Sequence, residues 1–270
     1  MANAQLVPTT IEISDTAASL PIIDMSGLRS SNLAVRAKVG RQIGEACRDK
    51  GFFYVTGHEI SSALQQRVID QAAKLFAMAP EEKAKVDKSL SQANRGYEPL
   101  RNQVLEAGAP ADVKEGFYIG QDKPLDHPDV LAGKFNQGPN LWPEALPEFR
   151  ATMEQYQWEL EGVAQLLMQG VALSLGLPEQ HFAGFCQDAM TTLRLLHYPP
   201  QSPSAAPGEK GCGAHTDWGG LTLLLQDDNS GLQVWDQESN DWIWAMPVPG
   251  SYVAVSYTHL RAHETLSDLV

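Results

Sequence analysis

Two residues with metal-binding side chains, His215 and Asp217, stand two apart in the glycine-flanked stretch GCGAHTDWGG. If residues 213–217 are extended, both side chains lie on one face of the strand and Thr216 lies on the other. An imidazole nitrogen and a carboxylate oxygen can then bind one ion, as two of the three ligands in a 2-His-1-carboxylate Fe(II) site. For the tripeptide alone, an exposed turn pair or a histidine hydrogen-bonded to the aspartate is the simpler explanation.

The three cysteines, Cys47, Cys186 and Cys212, are odd in number and widely spaced. This pattern predicts reduced thiols in a reducing compartment rather than a disulfide framework. Cys212 precedes His215 by three residues and could be a ligand, but a soft thiolate beside a carboxylate is an unusual mixture. We therefore expect all three cysteines to be small buried hydrophobic residues.

Composition restricts the class of protein and its partners. The chain has 270 residues, 43% of them hydrophobic, and a formal net charge of −13 with no basic run. The charge argues against nucleic acid and anionic membranes as partners, and no apolar stretch is long enough for a membrane helix. The N-terminal stretch lacks a basic start and an apolar core, so no secretory signal is predicted and we expect a soluble cytoplasmic protein.

Strands and helices alternate in the first half of the chain. Apolar, turn-bounded stretches predict strands at residues 20–25, 52–56 and 115–120. Helical spacing of apolar residues predicts one helix from Ser31 to a stop at Gly51, and a second helix that ends before Pro80. The charged residues Glu81, Glu82, Lys83 and Lys85 are expected on a solvated helical face.

The second half begins with a long amphipathic helix and continues as short strands. After Pro147, apolar residues step by four and three up to Gly176, which predicts one helix that packs against a sheet. The core-facing stripe comprises Phe149, Met153, Tyr156, Leu160, Val163 and Leu167. From residue 191, TTLRLLHY, LTLLLQD, LQVW, DWIWAM and YVAV predict strands of a sandwich or jelly roll.

The stretches GAHTDWGGLTLLLQDDNSGLQVW and LRLLHYPP closely resemble the Fe(II)- and 2-oxoglutarate-dependent dioxygenases of the isopenicillin N synthase-like superfamily. Further matches, at LPIIDMSGL, GFFYVTGHEI, RGYEPL, DVKEGFYIG and GPNLWP, follow in that family's order from residue 20 to about 254. The resemblance implies a mainly β fold with α-helices: a distorted double-stranded β-helix, or jelly roll, with an N-terminal helical region and one long supporting helix.

The resemblance also implies which residues form the site. His215 and Asp217 correspond to the first two iron ligands, and Tyr198 resembles the strand tyrosine that contacts the 2-oxoglutarate carboxylate. Fe(II) would be the cofactor, 2-oxoglutarate and O₂ the co-substrates, and no catalytic residue is expected beyond the metal centre. Arg194 and His197 lie on the same strand but on opposite faces, and each could be structural or part of the site.

The resemblance breaks at the C-terminal end. Family members continue to a second ligand histidine and to an arginine and a serine that bind 2-oxoglutarate, whereas this chain reads VSYTHLRAHETLSDLV. His259 and His263 are the available substitutes, and Arg261 lacks the partner serine. We expect residues 255–270 to be a non-native tail, with the third ligand and the last strands missing.

The expected organisation is a non-haem dioxygenase N-terminal region at residues 1–120 and a truncated jelly-roll core at residues 121–270. The predicted activity of the parent protein is oxidation of a small organic molecule, by hydroxylation or desaturation, coupled to decarboxylation of 2-oxoglutarate to succinate, whereas the chain without its third ligand is expected to be inactive. The protein is expected to be a monomer, and no motif specifies its substrate. Two alternatives remain open: an inactive jelly-roll fragment or binding protein, and another metal enzyme on the same barrel, such as a cupin.

Overall fold

The computed structural model describes residues 20–256, except for 106, 107, 109, 201–208 and 218. In chain order, the strands are β1 (Ile22–Asp24), β2 (Phe52–Thr56), β3 (Gly96–Glu98), β4 (Glu115–Gly120), β5 (Thr192–His197), β6 (Leu221–Leu224), β7 (Gln233–Asp236), β8 (Asp241–Trp244) and β9 (Tyr252–Ser256). The helices are α1 (Leu33–Asp49), α2 (Ser62–Phe76), α3 (Pro80–Ala84), α4 (Pro128–Leu131), α5 (Phe149–Ser174) and α6 (Ala183–Cys186), and a 3-10 helix, Met25–Arg29, follows β1.

The largest sheet joins both ends of the described chain, in the order β1-β2-β9-β6. Strands β1 and β2 are parallel, while β9 runs antiparallel to both β2 and β6. Phe53 lies opposite Ala254 and Leu223 lies opposite the same residue from the other side. Strand β6, which directly follows the His215 segment, therefore belongs to a sheet whose strands are distant in sequence.

A second sheet, in the order β3-β4-β5, carries the residues before Tyr198. Its two strand pairs are antiparallel, with Phe117 opposite Leu195 and Tyr118 opposite Arg194. Phe117 and Leu195 are buried in the main hydrophobic core. Because side chains alternate along a strand, Tyr118 and Arg194 lie on the other face. Strands β7 and β8 form a separate antiparallel hairpin.

Local sequence explains where the first two helices begin and end. The side chain of Asn32 accepts a hydrogen bond from the backbone N–H of Ala34, and that of Ser61 accepts one from Leu64, so both helices have N-caps. Gly51 has a φ of +75° and its N–H binds the carbonyl of Ala46, which ends α1. The predicted stop at Gly51 is confirmed.

Helix α5 buries the predicted apolar stripe, of which only Leu160 is partly exposed. It packs mainly on α1 and α2. It also reaches the second sheet, where the rings of Phe149 and Phe117 meet edge to face with centroids 5.4 Å apart. The prediction of a long supporting helix is confirmed, although its neighbours are helices as well as a sheet.

Three sequence-based expectations differ from the structure. Strand β3 was not predicted, because three buried residues give no alternating pattern and it is defined only by pairing with β4. The expectation of a solvated charged patch is wrong for Lys83, whose ammonium is 2.9 Å from the Glu115 carboxylate, with side chains only 13% and 9% exposed. The strand predicted at residues 20–25 is shorter, because β1 spans Ile22–Asp24 and Met25 begins a 3-10 helix.

None of the helices in the described part of the chain combines the length and the hydrophobicity of a membrane span.

Candidate metal centre

His215 and Asp217 lie in an irregular segment that leads into β6, not in a strand. The condition of an extended strand at residues 213–217 is therefore not met. The two side chains nevertheless converge, since Nε2 of His215 is 3.1 Å from Oδ1 of Asp217 and the side chains are 35% and 31% exposed. Loop geometry, rather than strand alternation, brings the nitrogen and the oxygen to one point.

The other nitrogen of the His215 ring is held by the backbone. Nδ1 lies 2.9 Å from the carbonyl oxygen of Gly213, to which it can only donate. In the neutral imidazole, a proton on Nδ1 leaves Nε2 with a free lone pair, which is the form that binds a metal ion. A backbone carbonyl on the second nitrogen is the usual partner of a metal-binding histidine, because it fixes the ring and makes Nε2 a better ligand.

The electrostatics of the pair fit a cation between the two groups. The hydrogen bond with Asp217, and then the one with Cys212, raises the pKa of His215 to about 10. The same contact with His215 lowers the pKa of Asp217. A proton on His215 and a metal ion would each stabilise the negative charge of Asp217. The pair therefore favours a proton at the place where a metal ion would bind.

Cys212 differs from the buried hydrophobic residue that we expected. Its Sγ accepts a hydrogen bond from Nζ of Lys114 at 3.0 Å and is 3.7 Å from Nδ1 of His215. Burial opposes ionisation of the thiol, but hydrogen bonds with His215 and Lys114 hold its pKa below the usual value. All three cysteines are free, as predicted, but each is only partly buried.

Tyr198 directly follows β5 and borders the His215 loop. Its ring lies against Gly211, where an added Cβ would be 3.0 Å from a ring carbon, and its hydroxyl interacts with Cys212. Tyr198 is 46% exposed. The structure therefore brings Tyr198 to the same loop as the two candidate ligands, through Gly211 and Cys212.

Arg194 belongs to a charged cluster on the Tyr198 face of the second sheet. One guanidinium nitrogen is 2.8 Å from the amide oxygen of Gln103 and 3.3 Å from the carboxylate of Glu98. The guanidinium also lies over the ring of Tyr118, 4.7 Å from its centroid. The positive charge of Arg194 helps to lower the pKa of Asp217, so this cluster is electrostatically part of the same region.

His197 lies on the opposite face, as alternation predicts. Its Nδ1 is 2.8 Å from the carboxylate of Glu115, and its ring stacks on Phe76 with centroids 5.4 Å apart. Glu115 also accepts hydrogen bonds from Lys83 and Tyr97. These contacts join α2, α3 and the second sheet, which favours the structural alternative for His197.

Sequence reasoning missed two buried residues next to the candidate ligands, Asp112 and Lys114. Each is 3% exposed. The sequence does contain a signal for them, because both residues directly precede a buried strand in DVKEGFYIG. Charged residues are buried only when they are paired, so their position next to that strand could have indicated an ion pair.

The structure accounts for two candidate protein ligands. Among the described residues, no group of three or more His, Cys, Asp and Glu side chains could hold a metal ion. The available substitutes His259 and His263, and Arg261 with them, lie outside the described residues. The donor set that is present, one imidazole and one carboxylate, fits two of the three positions of an Fe(II) facial triad.

Comparisons with known proteins agree across the chain. Residues 20–145 match the family model "non-haem dioxygenase in morphine synthesis N-terminal" and residues 189–260 match "2OG-Fe(II) oxygenase superfamily". Similar curated proteins include the 2-oxoglutarate-Fe(II) type oxidoreductase hxnY of Emericella nidulans, 43% identical over 86% of this chain and 68% of that protein. The 2-oxoglutarate-dependent dioxygenase citB of Monascus ruber is 42% identical over 87% of this chain and 73% of that protein.

Solved structures show the same similarity. The crystal structure of a full-length Neurospora crassa protein in complex with alpha-KG has a TM-score of 0.78 and 28% identity, over 92% of this chain and 76% of that one. The same Neurospora protein has also been solved with alpha-KG and thymine, with a TM-score of 0.76 and 28% identity, over the same shares of both chains.

Proposed function

Because this chain belongs to the 2-oxoglutarate- and Fe(II)-dependent oxygenase superfamily, we propose that His215 and Asp217 are two of its iron ligands and that Tyr198 contacts 2-oxoglutarate. The protein is a jelly-roll enzyme that uses Fe(II), 2-oxoglutarate and O₂ to oxidise a small organic molecule. The division into an N-terminal region, residues 1–120, and a core, residues 121–270, is part of the same proposal.

One observation carries the assignment of the ligands. Nε2 of His215 and Oδ1 of Asp217 are 3.1 Å apart, while Nδ1 of His215 is bound by the carbonyl of Gly213. An ion bound by both atoms would take the place of the proton that the protonated imidazole shares with Asp217. A histidine that is only an exposed turn residue needs no such fixed tautomer.

The residues of the site have distinct tasks. Bound Fe(II) supplies the redox chemistry that couples decarboxylation of 2-oxoglutarate to oxidation of the substrate. His215 presents Nε2 because Gly213 holds the proton on Nδ1, and Asp217 supplies a negative charge that favours Fe(II). No side chain is assigned to proton transfer.

Tyr198 and Arg194 suggest how the rest of the site is arranged. The hydroxyl of Tyr198 lies beside the His215 loop and can donate a hydrogen bond to a carboxylate of 2-oxoglutarate. Arg194 and Tyr118 cover the neighbouring part of the same sheet face. We propose that the small-molecule substrate binds against this part of the face.

The test is a spectroscopic and product assay on the purified protein in which the superfamily's C-terminal segment, with its second ligand histidine, replaces residues 255–270. Anaerobic addition of Fe(II) and 2-oxoglutarate should give a visible charge-transfer band, and admission of O₂ should release succinate and CO₂. A panel of small aromatic and heterocyclic molecules should increase the rate of succinate release for at least one compound.

The His215→Ala variant is the control, because it removes the proposed ligand. It should lose both the band and the succinate while retaining its fold by circular dichroism. Absence of the band in the protein with the restored C-terminal segment, or an unchanged band in its His215→Ala variant, would contradict the assignment.

A further inference from the structure

Asp112 and Lys114 form a buried ion pair directly before β4, outside the set of residues proposed to bind iron. The carboxylate of Asp112 and the ammonium of Lys114 are 2.8 Å apart, and both side chains are 3% exposed. Burial of two charges costs several kcal/mol for each ion, and such pairs are often no more stabilising than apolar residues of the same size. Overall stability is therefore a weak explanation for this pair.

The contacts of the pair point to the segment before His215. Oδ1 of Asp112 accepts a hydrogen bond from the N–H of Gly213 at 3.0 Å. Nζ of Lys114 donates to Sγ of Cys212 at 3.0 Å. Between them, the N–H of Val113 donates to the carbonyl of Lys210 at 2.9 Å. Residues 112–114 thus all bind the segment from Lys210 to Gly213. Asp112 and Lys114 bind it through their side chains, and Val113 binds it through its backbone N–H.

Gly213 connects this segment to the His215 ring. Its N–H is held by Asp112, and its own carbonyl accepts the proton of Nδ1 of His215 at 2.9 Å. A shift of Gly213 would move the carbonyl that orients the ring, and Nε2 would turn away from Asp217. The position of the imidazole therefore depends on the buried carboxylate of Asp112.

We propose that Asp112 and Lys114 are positioning residues for the metal centre: through Gly213 and Cys212 they fix the loop that orients His215 before any metal binds. The inference rests on the proposed function, because it takes His215 as a ligand. It assigns a role in metal affinity to two residues that are not among the proposed ligands. Loss of such outer partners typically weakens metal binding about 10- to 100-fold.

The test compares two double variants with the wild-type protein. Asp112→Leu/Lys114→Met removes both charges together, so neither is left buried without its partner. Asp112→Asn/Lys114→Met keeps an oxygen that can accept from the N–H of Gly213. The probe is Co(II), titrated in the presence of 2-oxoglutarate and followed by its visible absorption. We expect at least tenfold weaker binding in the Leu/Met variant and an intermediate affinity in the Asn/Met variant.

A second measurement needs no metal. Hydrogen exchange in the metal-free protein should be faster at residues 211–215 of the Leu/Met variant, with no change in β4 or β9. The matched control is Lys50→Met/Asp236→Leu, which removes another ion pair, with Nζ and Oδ1 2.9 Å apart and side chains 15% and 1% exposed. This control should leave Co(II) affinity and exchange at residues 211–215 unchanged.

The outcomes separate the inference from the proposed function. If Co(II) binding in the wild-type background does not depend on His215, the ligand assignment fails. If it depends on His215 but the Leu/Met variant binds Co(II) like the wild type, the inference fails. Faster exchange throughout the molecule, or loss of folding in both double variants, would assign the pair to general stability and would also overturn it.

Discussion

The carbonyl oxygen of Gly213 lies 2.9 Å from Nδ1 of His215, while Nε2 of the same ring lies 3.1 Å from Asp217. The ring is thus held from both sides, by a neutral acceptor and by a charged one. Because the neutral acceptor belongs to the backbone, no substitution of a side chain at residue 213 removes it directly. The orientation of the imidazole is therefore set by the path of the loop.

Asp217→Ala should abolish retention of Fe(II), because it removes the only carboxylate of the proposed triad. Since loss of an outer partner costs about 10- to 100-fold in affinity, loss of a ligand should cost at least as much. The measurement is the iron content after anaerobic gel filtration, with circular dichroism as the check on folding. Thr216→Ala is the control and should retain iron, because Thr216 is exposed. Equal loss of iron in both variants would indicate a defect in folding instead.

Tyr198→Phe should weaken binding of 2-oxoglutarate without affecting the metal. A hydrogen bond to a charged group contributes about 1.5–3 kcal/mol, so roughly tenfold or more 2-oxoglutarate should be needed for half-saturation. Titration of the charge-transfer band measures this directly. Tyr54→Phe is the matched control, because its hydroxyl donates to the carbonyl of Met246 at 2.6 Å, away from the His215 loop. The role proposed for Tyr198 does not hold if the two variants need the same concentration.

Asp236→Asn should reduce stability in a pH-dependent way. Hydrogen bonds from Lys50, and then from Ser239, lower the pKa of Asp236 to about 2 in the folded protein. The ionised form is therefore favoured by folding, and its contribution is complete above the unfolded pKa of about 4 and is lost as the pH falls towards 2. We expect a loss of about 2 kcal/mol in the free energy of unfolding at pH 7, and a smaller difference at pH 3.

Urea denaturation at pH 7, 5 and 3 measures this difference. The exposed residue Asp228 provides the control, because Asp228→Asn should give curves that match the wild type at each pH. A loss in Asp236→Asn that does not change between pH 5 and pH 3 would exclude the ionised carboxylate as its cause.

Much of the fold could be predicted because local patterns coincide with burial. The strands at Phe52–Thr56 and Glu115–Gly120 have the predicted bounds, and α5 buries the predicted stripe. Each of these elements carries its own apolar pattern, so no distant contact is needed to recognise it. The β3 strand carries no such pattern and could not be recognised in this way.

The candidate site was only partly predictable. The pair His215 and Asp217 was found from residue types and spacing, and its convergence is confirmed by the 3.1 Å contact, but the assumed strand is absent. Asp112 and Gly213 are 101 residues apart in the sequence, so no local pattern indicates the hydrogen bond between them. The roles of His215, Asp217 and Tyr198, and the division of the chain at residue 120, stay predictions.

The register of the largest sheet has a consequence for biosynthesis. Phe53 in β2 pairs with Ala254 in β9, about 200 residues later in the chain. At about 5–20 residues per second, β2 is synthesised some 10–40 s before its partner strand. During that interval the edge of β2 is open to wrong pairing, so the yield of folded protein should depend on the speed of translation and on chaperones that shield a nascent strand.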